Sequence, residues 1–131
     1  MSLRDRLLRI ALMAFGATFL LIYPLAIVWP SGWAWHAGAP HDSQYFMMIV
    51  GVYATLGVFL MRAARNPQAH LSLIWFTVWS SIVHALIMAV QSLQSAEHAG
   101  HLLGDVPALI LVAAVLSALV WSPGEQMREL R

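Results

Sequence analysis

Six histidines are the side chains best suited to chemistry in this 131-residue chain, which has neither cysteine nor lysine. Four of them fall in two short stretches, with His36 and His41 in one and His98 and His101, followed by Asp105, in the other. Imidazole and carboxylate groups suit zinc, copper or iron. These five residues therefore predict a transition-metal or redox site, if the two stretches approach each other. Their spacing matches neither a structural-zinc pattern nor an HExxH helix, and histidines that bind no metal are the alternative.

A second set of polar side chains recurs at helical spacing. Its members are Thr77, Ser81, His84, Met88, Gln91, Ser95 and His98. Steps of three and four place side chains on one helix face, and polar groups in an apolar helix turn away from lipid. We expect this polar stripe to face inward. We expect the other side of the helix to meet lipid or a partner, with Trp75, Trp79, Ile82, Leu86 and Leu93.

His84 lies near the middle of this stretch, at the depth of Tyr53 on the preceding one. The pattern predicts a buried hydrogen bond between His84 and Tyr53 or a serine, which is a structural role. The alternatives are a proton relay, a haem ligand, or a lipid or quinone site formed by His84, Tyr53, Met88 and Gln91. A haem held by two histidines needs a second histidine at matching depth, and the sequence offers none.

Several other classes of site are excluded. Without cysteine there is no disulfide, thiolate metal site or cysteine nucleophile. The sequence contains no GxSxG elbow and no phosphate-binding loop. The net charge is +1 and the seven arginines lie far apart, which argues against a nucleic-acid partner. These features favour a protein that is not an enzyme.

The composition indicates the elements that carry these residues. The chain is 60% hydrophobic and 10% charged, whereas soluble domains carry about 25% charged residues. A membrane-spanning helix needs about 20 apolar residues. The uncharged stretches predict one all-α transmembrane domain over residues 1–131, with spans at about 8–29, 43–63, 67–96 and 106–121. A short cytoplasmic helix is expected at 123–131.

The arginines predict the orientation of these spans. They precede the first span, separate the second from the third, and follow the fourth: Arg4, Arg6, Arg9, Arg62, Arg65, Arg128 and Arg131. Arginine is enriched on the cytoplasmic side of membrane proteins. We therefore expect a multi-pass protein of the bacterial inner membrane, with both termini in the cytoplasm and the histidine-bearing loops in the periplasm. Short loops favour an up-down-up-down four-helix bundle.

Local signals refine the helices. Tyr23-Pro24 predicts a kink in the first span, because proline interrupts the helical hydrogen bonds. Either Asp42 or Ser43 is expected to cap the second span, and Asp105 the fourth. Small residues at helical spacing permit close helix contacts, within the chain or between copies. These pairs are Gly51 with Thr55, Ala54 with Gly57, Ala113 with Ser117, and Ala114 with Ala118.

Parts of all four spans are similar to known sequences. They are Tyr23-Pro24-Leu25 with Trp29-Pro30-Ser31-Gly32-Trp33, Gly51-Val52-Tyr53-Ala54-Thr55-Leu56-Gly57, Ile74-Trp75-Phe76-Thr77-Val78-Trp79-Ser80 with Val83-His84, and His101-Leu102-Leu103-Gly104-Asp105-Val106-Pro107. Together they resemble an uncharacterised family of small bacterial four-helix membrane proteins of unknown function. The resemblance covers most of the chain. It implies a stable fold and carries over no activity or ligand.

Three functional hypotheses follow from the sequence. The first is a non-catalytic accessory subunit of a larger membrane complex or a homo-oligomeric structural protein, whose partners are the lipid bilayer and other membrane subunits or copies of itself. The second is the periplasm-facing, histidine-rich metal or redox site. The third is a lipid- or quinone-binding protein that uses the polar stripe.

Overall fold

The computed structural model describes residues 1–30 and 39–121. In this part of the chain five α-helices follow one another: α1 (Leu3–Leu20), α2 (Ile22–Val28), α3 (Gln44–Ala63), α4 (Leu71–Gln94) and α5 (Asp105–Val120). Short 3₁₀ helices precede the last three, at Pro40–Asp42, Pro67–His70 and Ala96–Leu102. His36 and the helix predicted at 123–131 lie outside the described residues.

Three helical stretches are long and apolar enough to cross a membrane, namely Gln44–Ala63, Pro67–Gln94 and Ala96–Val120. The bent pair of α1 and α2 makes a fourth if it counts as one span. In the most apolar window of each of the stretches Gln44–Ala63, Pro67–Gln94 and Ala96–Val120, only 22%, 28% and 33% of the residues, respectively, are buried inside the protein. The remaining residues of these windows are exposed or partly buried, which is compatible with helices that cross a membrane.

The break between α1 and α2 confirms the kink expected at Tyr23-Pro24, with a bend of 61°. The helix is interrupted at Leu21, before the proline itself. Proline has no N–H, so the carbonyl of Leu20, four residues earlier, loses its usual donor. The Leu21 N–H bonds to the carbonyls of Ala17 at 3.1 Å and Thr18 at 3.0 Å, which ends α1 in a tight turn.

The helix caps agree with the sequence at α3 and differ at α5. Ser43 caps α3, because its hydroxyl accepts a hydrogen bond from the Phe46 N–H at 3.2 Å. The prediction that Asp105 caps α5 was wrong, since Gly104 occupies the cap position and no side chain caps this helix. Asp105 is the first helical residue, and its carboxylate is turned to His101 instead. The nearby imidazole thus replaces the backbone N–H as its hydrogen-bond partner.

The helices α1 and α3 meet at backbone contact. A Cβ atom on Gly57 would lie 2.5 Å from the carbonyl oxygen of Gly16, and one on Gly16 would lie 2.7 Å from that of Gly57. Both glycines are buried, and no larger residue fits between them. The sequence predicted close contact at Gly57 but did not identify Gly16 as its counterpart. Gly51 and Thr55, also predicted as a contact pair, are exposed.

Two arginines of α1 bind the C-terminal ends of α3 and α5. Arg9 donates to the carbonyl of Ala64 at 3.1 Å. Arg4 donates to the carbonyls of Leu119 at 2.7 Å and Ala118 at 3.0 Å. The last carbonyls of a helix lack intrahelical donors and carry partial negative charge, so a guanidinium stabilises them. These contacts bring the start of α1 beside the ends of α3 and α5.

The core lies along α1, which packs against both α3 and α5, while α4 packs chiefly against α5. Each of these four helices contributes one large, fully buried aliphatic side chain: Leu12, Leu60, Ile74 and Leu116. By contrast, the backbones of α3 and α4 hardly approach each other, although the two helices are consecutive in the chain. A gap therefore runs between these two helices.

Candidate functional site

One side-chain pair bridges the gap between α3 and α4. The hydroxyl of Tyr53 lies 2.6 Å from Nδ1 of His84, which confirms the predicted hydrogen bond. Both side chains are half-buried. The Tyr53 ring also packs edge-on against Phe19 of α1, with centroids 5.0 Å apart. Tyr53 is thus held from two sides, and His84 is positioned through it.

A cavity of about 610 Å³ lies beside this pair, walled by α1, α2, α3, α4 and α5. Most of its lining is apolar, including Phe15, Phe19 and Phe46. Pockets for small molecules have volumes of roughly 300–1,000 Å³ and are mainly apolar, with a few polar groups that orient the ligand. The polar groups of this cavity are Thr18, Tyr53, Ser80, His84, Gln91, His101 and Asp105.

The hydroxyls among these groups already have partners. Thr18 donates to the carbonyl of Ala14 at 2.9 Å, and Ser80 donates to that of Thr77 at 3.3 Å. In the part of the chain that is described, the amide of Gln91 makes no hydrogen bond. The Gln91 amide, which is exposed at the cavity, is therefore available to a ligand.

His101 and Asp105 form a second polar pair in the cavity wall. Nδ1 of His101 lies 2.9 Å from both carboxylate oxygens of Asp105. His101 is only 1% exposed. The ring of His98 stacks on that of His101, with centroids 6.3 Å apart and planes inclined by 22°. The 3₁₀ helix Ala96–Leu102 thus holds these rings at the start of α5.

The sequence assigned His84 and His101 to two separate sites, and the structure brings both to one cavity. All four residues proposed for a lipid or quinone site line it, and so do His101 and Asp105 of the proposed metal site. The turn at Ala96–Leu102 brings the two histidines together, because it returns the chain from α4 to α5. Helical spacing does not predict the length or form of such a turn, so the sequence carries no signal for the shared cavity.

The orientation of the polar stripe was predicted correctly at one end. Thr77 and Ser81 are buried, whereas Gln91 is exposed at the cavity rim. On the opposite face Trp79, Leu86 and Leu93 are exposed, as expected. Trp75 and Ile82 are instead partly buried against the core. The polar stripe therefore faces the core at its N-terminal end, and it faces the cavity and the surface at its C-terminal end.

Of the proposed metal ligands, His98, His101 and Asp105 lie near one another, but the described residues do not form a complete metal site. His41 is exposed and lies 3.5 Å from the carboxylate of its neighbour Asp42. Among residues 1–30 and 39–121, no three His, Asp or Glu side chains lie close enough to hold a metal ion. His36 lies outside these residues, and the metal site stays a prediction.

Comparison with known proteins identifies a family. Residues 3–129 match the sequence model of a family of unknown function, DUF6632, and the chain belongs to that family. No curated protein and no solved structure matches it.

Proposed function

For this member of a family of unknown function, we propose a role as a membrane protein that binds a membrane-soluble amphipathic molecule between its helices. The observation that carries the proposal is the cavity of about 610 Å³, whose wall combines apolar side chains with Tyr53, His84 and Gln91. Such a wall suits a ligand with an apolar body and a neutral polar group. A lipid or a quinone has this chemistry.

The membrane arrangement that we propose is a four-span up-down-up-down bundle with both termini in the cytoplasm of a bacterial inner membrane. The arginine contacts support it. Arg9 reaches the end of α3 and Arg4 reaches the end of α5, so α1 runs opposite to both. Arg62 and Arg65 lie at the same end of α3. The positive charges of the described residues therefore gather at one end of the helices, as cytoplasmic arginines do.

The charge of the cavity favours a neutral ligand. None of the described residues that line it is an arginine, and the acidic group among them, Asp105, is bonded to His101. A phosphate group would enter without a cationic partner, next to a carboxylate, and would lose its hydration. Phospholipid head groups are thus disfavoured, and neutral amphipathic molecules such as quinones or quinols are preferred.

The gap between α3 and α4 offers a route from the lipid phase. A second cavity of about 480 Å³ lies on it and shares Ile49, Tyr53 and His84 with the first. Its other lining residues, Tyr45, Met48 and Val52, are exposed on α3. We infer that ligands enter sideways past the Tyr53–His84 pair.

A cavity-filling substitution tests this proposal. Ala108 of α5 is half-buried and lines the cavity, and the Ala108→Phe side chain would fill part of it. Ala114→Phe, on an exposed position of the same helix away from the cavity, is the matched control. The full chain is purified from native membranes in mild detergent, and mass spectrometry identifies and quantifies the small molecules extracted from it.

We expect one neutral amphipathic molecule to be enriched with the wild type and with Ala114→Phe, and to be depleted with Ala108→Phe. Bulk lipids carried by the micelle would be the same in all three samples. Equal recovery of every molecule from the two variants, with both of them folded, would overturn the binding function.

An accessory or homo-oligomeric role is the second candidate, and the exposed side of α3 favours it. Gly51 and Thr55 lie one turn apart there, and a Cβ atom on Gly51 would meet nothing within 4 Å. Small exposed residues let a helix of another chain approach closely. The mass and protein content of the detergent-released particle test this role. Other subunits or several copies would support it, and a monomer alone would refute it.

A further inference from the structure

His101 has one ring nitrogen whose hydrogen-bonding capacity is unused. Nδ1 is engaged by Asp105, but Nε2 is buried and has no hydrogen-bond partner within residues 1–30 and 39–121. Buried polar atoms nearly always have a partner, and an exception calls for an explanation such as a missing ligand. His101 lines the cavity, but Nε2 itself exposes almost no surface, so a bound molecule that supplies the partner must displace a neighbouring side chain.

The contact with Asp105 defines what Nε2 can do. A carboxylate only accepts hydrogen bonds, so Nδ1 must carry the hydrogen that lies between them. In a neutral imidazole the other nitrogen then has a lone pair and acts as an acceptor. Hydrogen bonds from Nδ1–H to both carboxylate oxygens, each at 2.9 Å, hold the ring in this orientation. When the imidazole is neutral, Nε2 of His101 is therefore an acceptor that can take a hydrogen bond from a donor.

We propose that Nε2 of His101 accepts a hydrogen bond from a hydroxyl group on the ligand's head, which is a phenol or hydroquinone. This inference rests on the proposed binding function and names the head group of its ligand. Phe15, Phe19 and Phe46 line the same cavity and supply aromatic surface for a ring. A hydroquinone ring combines the required O–H donor with neutrality and an apolar tail.

The competing head groups fit this site less well. A phosphate would find no arginine among the described residues of the cavity lining, and it would face the Asp105 carboxylate. A quinone, which has only carbonyl acceptors, cannot donate to Nε2. Tyr53 and His84 already bond each other across the cavity wall, which leaves His101 as the buried group that selects a donor. The reduced, hydroxyl-bearing form of such a molecule is thus preferred over the oxidised form.

Two probes test the contact from the ligand's side. One is an alkyl hydroquinone, and the other is its dimethyl ether, which keeps the ring and tail but has no O–H. The binding of each to the full chain in detergent is measured by equilibrium dialysis. We expect the hydroquinone to bind about tenfold more tightly, because the ether leaves Nε2 without a partner. This comparison needs no variant and does not depend on one that folds.

The His101→Asn variant tests the same contact from the side of the protein. The asparagine amide can still donate to Asp105 from a place near Nδ1, while the atom corresponding to Nε2 is removed. The tenfold preference should vanish, and the affinity for the ether should stay nearly constant. His70→Asn, an exposed histidine at the start of α4, is the control and should keep the preference.

The two proposals fail in different ways. If the hydroquinone and the ether bind the wild type equally well, the His101 contact is refuted, whereas the cavity still binds amphipathic molecules. Retention of the full preference by His101→Asn refutes the contact as well. If neither probe binds and Ala108→Phe changes no co-purified molecule, the binding function itself is overturned.

Discussion

The variant Gly57→Ala should destabilise the protein relative to Gly51→Ala, although both replace a helical glycine of α3. Alanine is favoured over glycine in a helix by about 1 kcal/mol, and both variants share this gain. At Gly51 an added Cβ meets nothing within 4 Å. At Gly57 it would lie 2.5 Å from the carbonyl oxygen of Gly16 and 3.2 Å from the backbone nitrogen of Leu20. The difference between the variants isolates the contact between α1 and α3.

The magnitude follows from what the new methyl group meets. Its neighbours are backbone atoms, which cannot rotate aside as the end of a flexible side chain can. Ordinary van der Waals contact begins near 3.4 Å, so the helices must separate locally by about 0.9 Å and give up dispersion contacts. Overpacking of this kind costs about 1–3 kcal/mol. We expect the free energy of unfolding to be lower by about that amount for Gly57→Ala than for Gly51→Ala.

Reversible unfolding in mixed detergent and SDS micelles, followed by circular dichroism, measures this difference. The Gly16→Ala/Gly57→Ala double variant adds a second test. One separation of the helices accommodates both methyl groups, so the double variant should lose less stability than the two single variants together. Equal stability of Gly57→Ala and Gly51→Ala would refute the backbone contact. The mass of the Gly51→Ala particle shows whether this position also affects association with another chain.

Substitutions that remove three polar contacts should lower the free energy of unfolding by smaller amounts. Tyr53→Phe removes the hydroxyl that bonds His84 and should lower the free energy of unfolding by about 1–2 kcal/mol, and an unchanged midpoint in the SDS titration would contradict the bridge between α3 and α4. Ser43→Ala removes the cap on the Phe46 N–H and should cost about 1 kcal/mol, whereas Ser43→Asp should retain most of the stability in the same titration. Arg4→Gln weakens the bonds to the last carbonyls of α5 and should cost about 1 kcal/mol; amide hydrogen exchange should then rise at the end of α5 and not in α3.

The binding and assembly hypotheses use different surfaces of the molecule. The cavity is lined from the inner sides of α3, α4 and α5, whereas Gly51 and Thr55 lie on the outer side of α3. A substitution such as Ala108→Phe therefore addresses the ligand and leaves the outer surface of α3 intact. The two properties can be measured independently on the same purified particle.

The sequence by itself determined the local features of this protein. The length of apolar stretches indicated the helices, because burial of the backbone in lipid requires about 20 such residues. Proline chemistry predicted the kink in the first span, and Asp42 and Ser43 were the two candidates for the cap of α3. Helical spacing and equal depth limited the partner of His84 to Tyr53 or a serine. The helices, the kink and the cap depend on residues that are close in sequence. The partner of His84 depends only on the depth of each residue along its span.

Only the tertiary structure decided how the helices are rotated and which residues face one another. Gly16 meets Gly57 because α1 and α3 cross at that point, and neither residue shows this in its own helix. Trp75 is partly buried because it packs against the core cluster. His101 joins the cavity of His84 because the turn at Ala96–Leu102 folds back over the end of α4. Crossing angles and helix rotation arise from packing of distant residues, so periodicity along one helix cannot specify them.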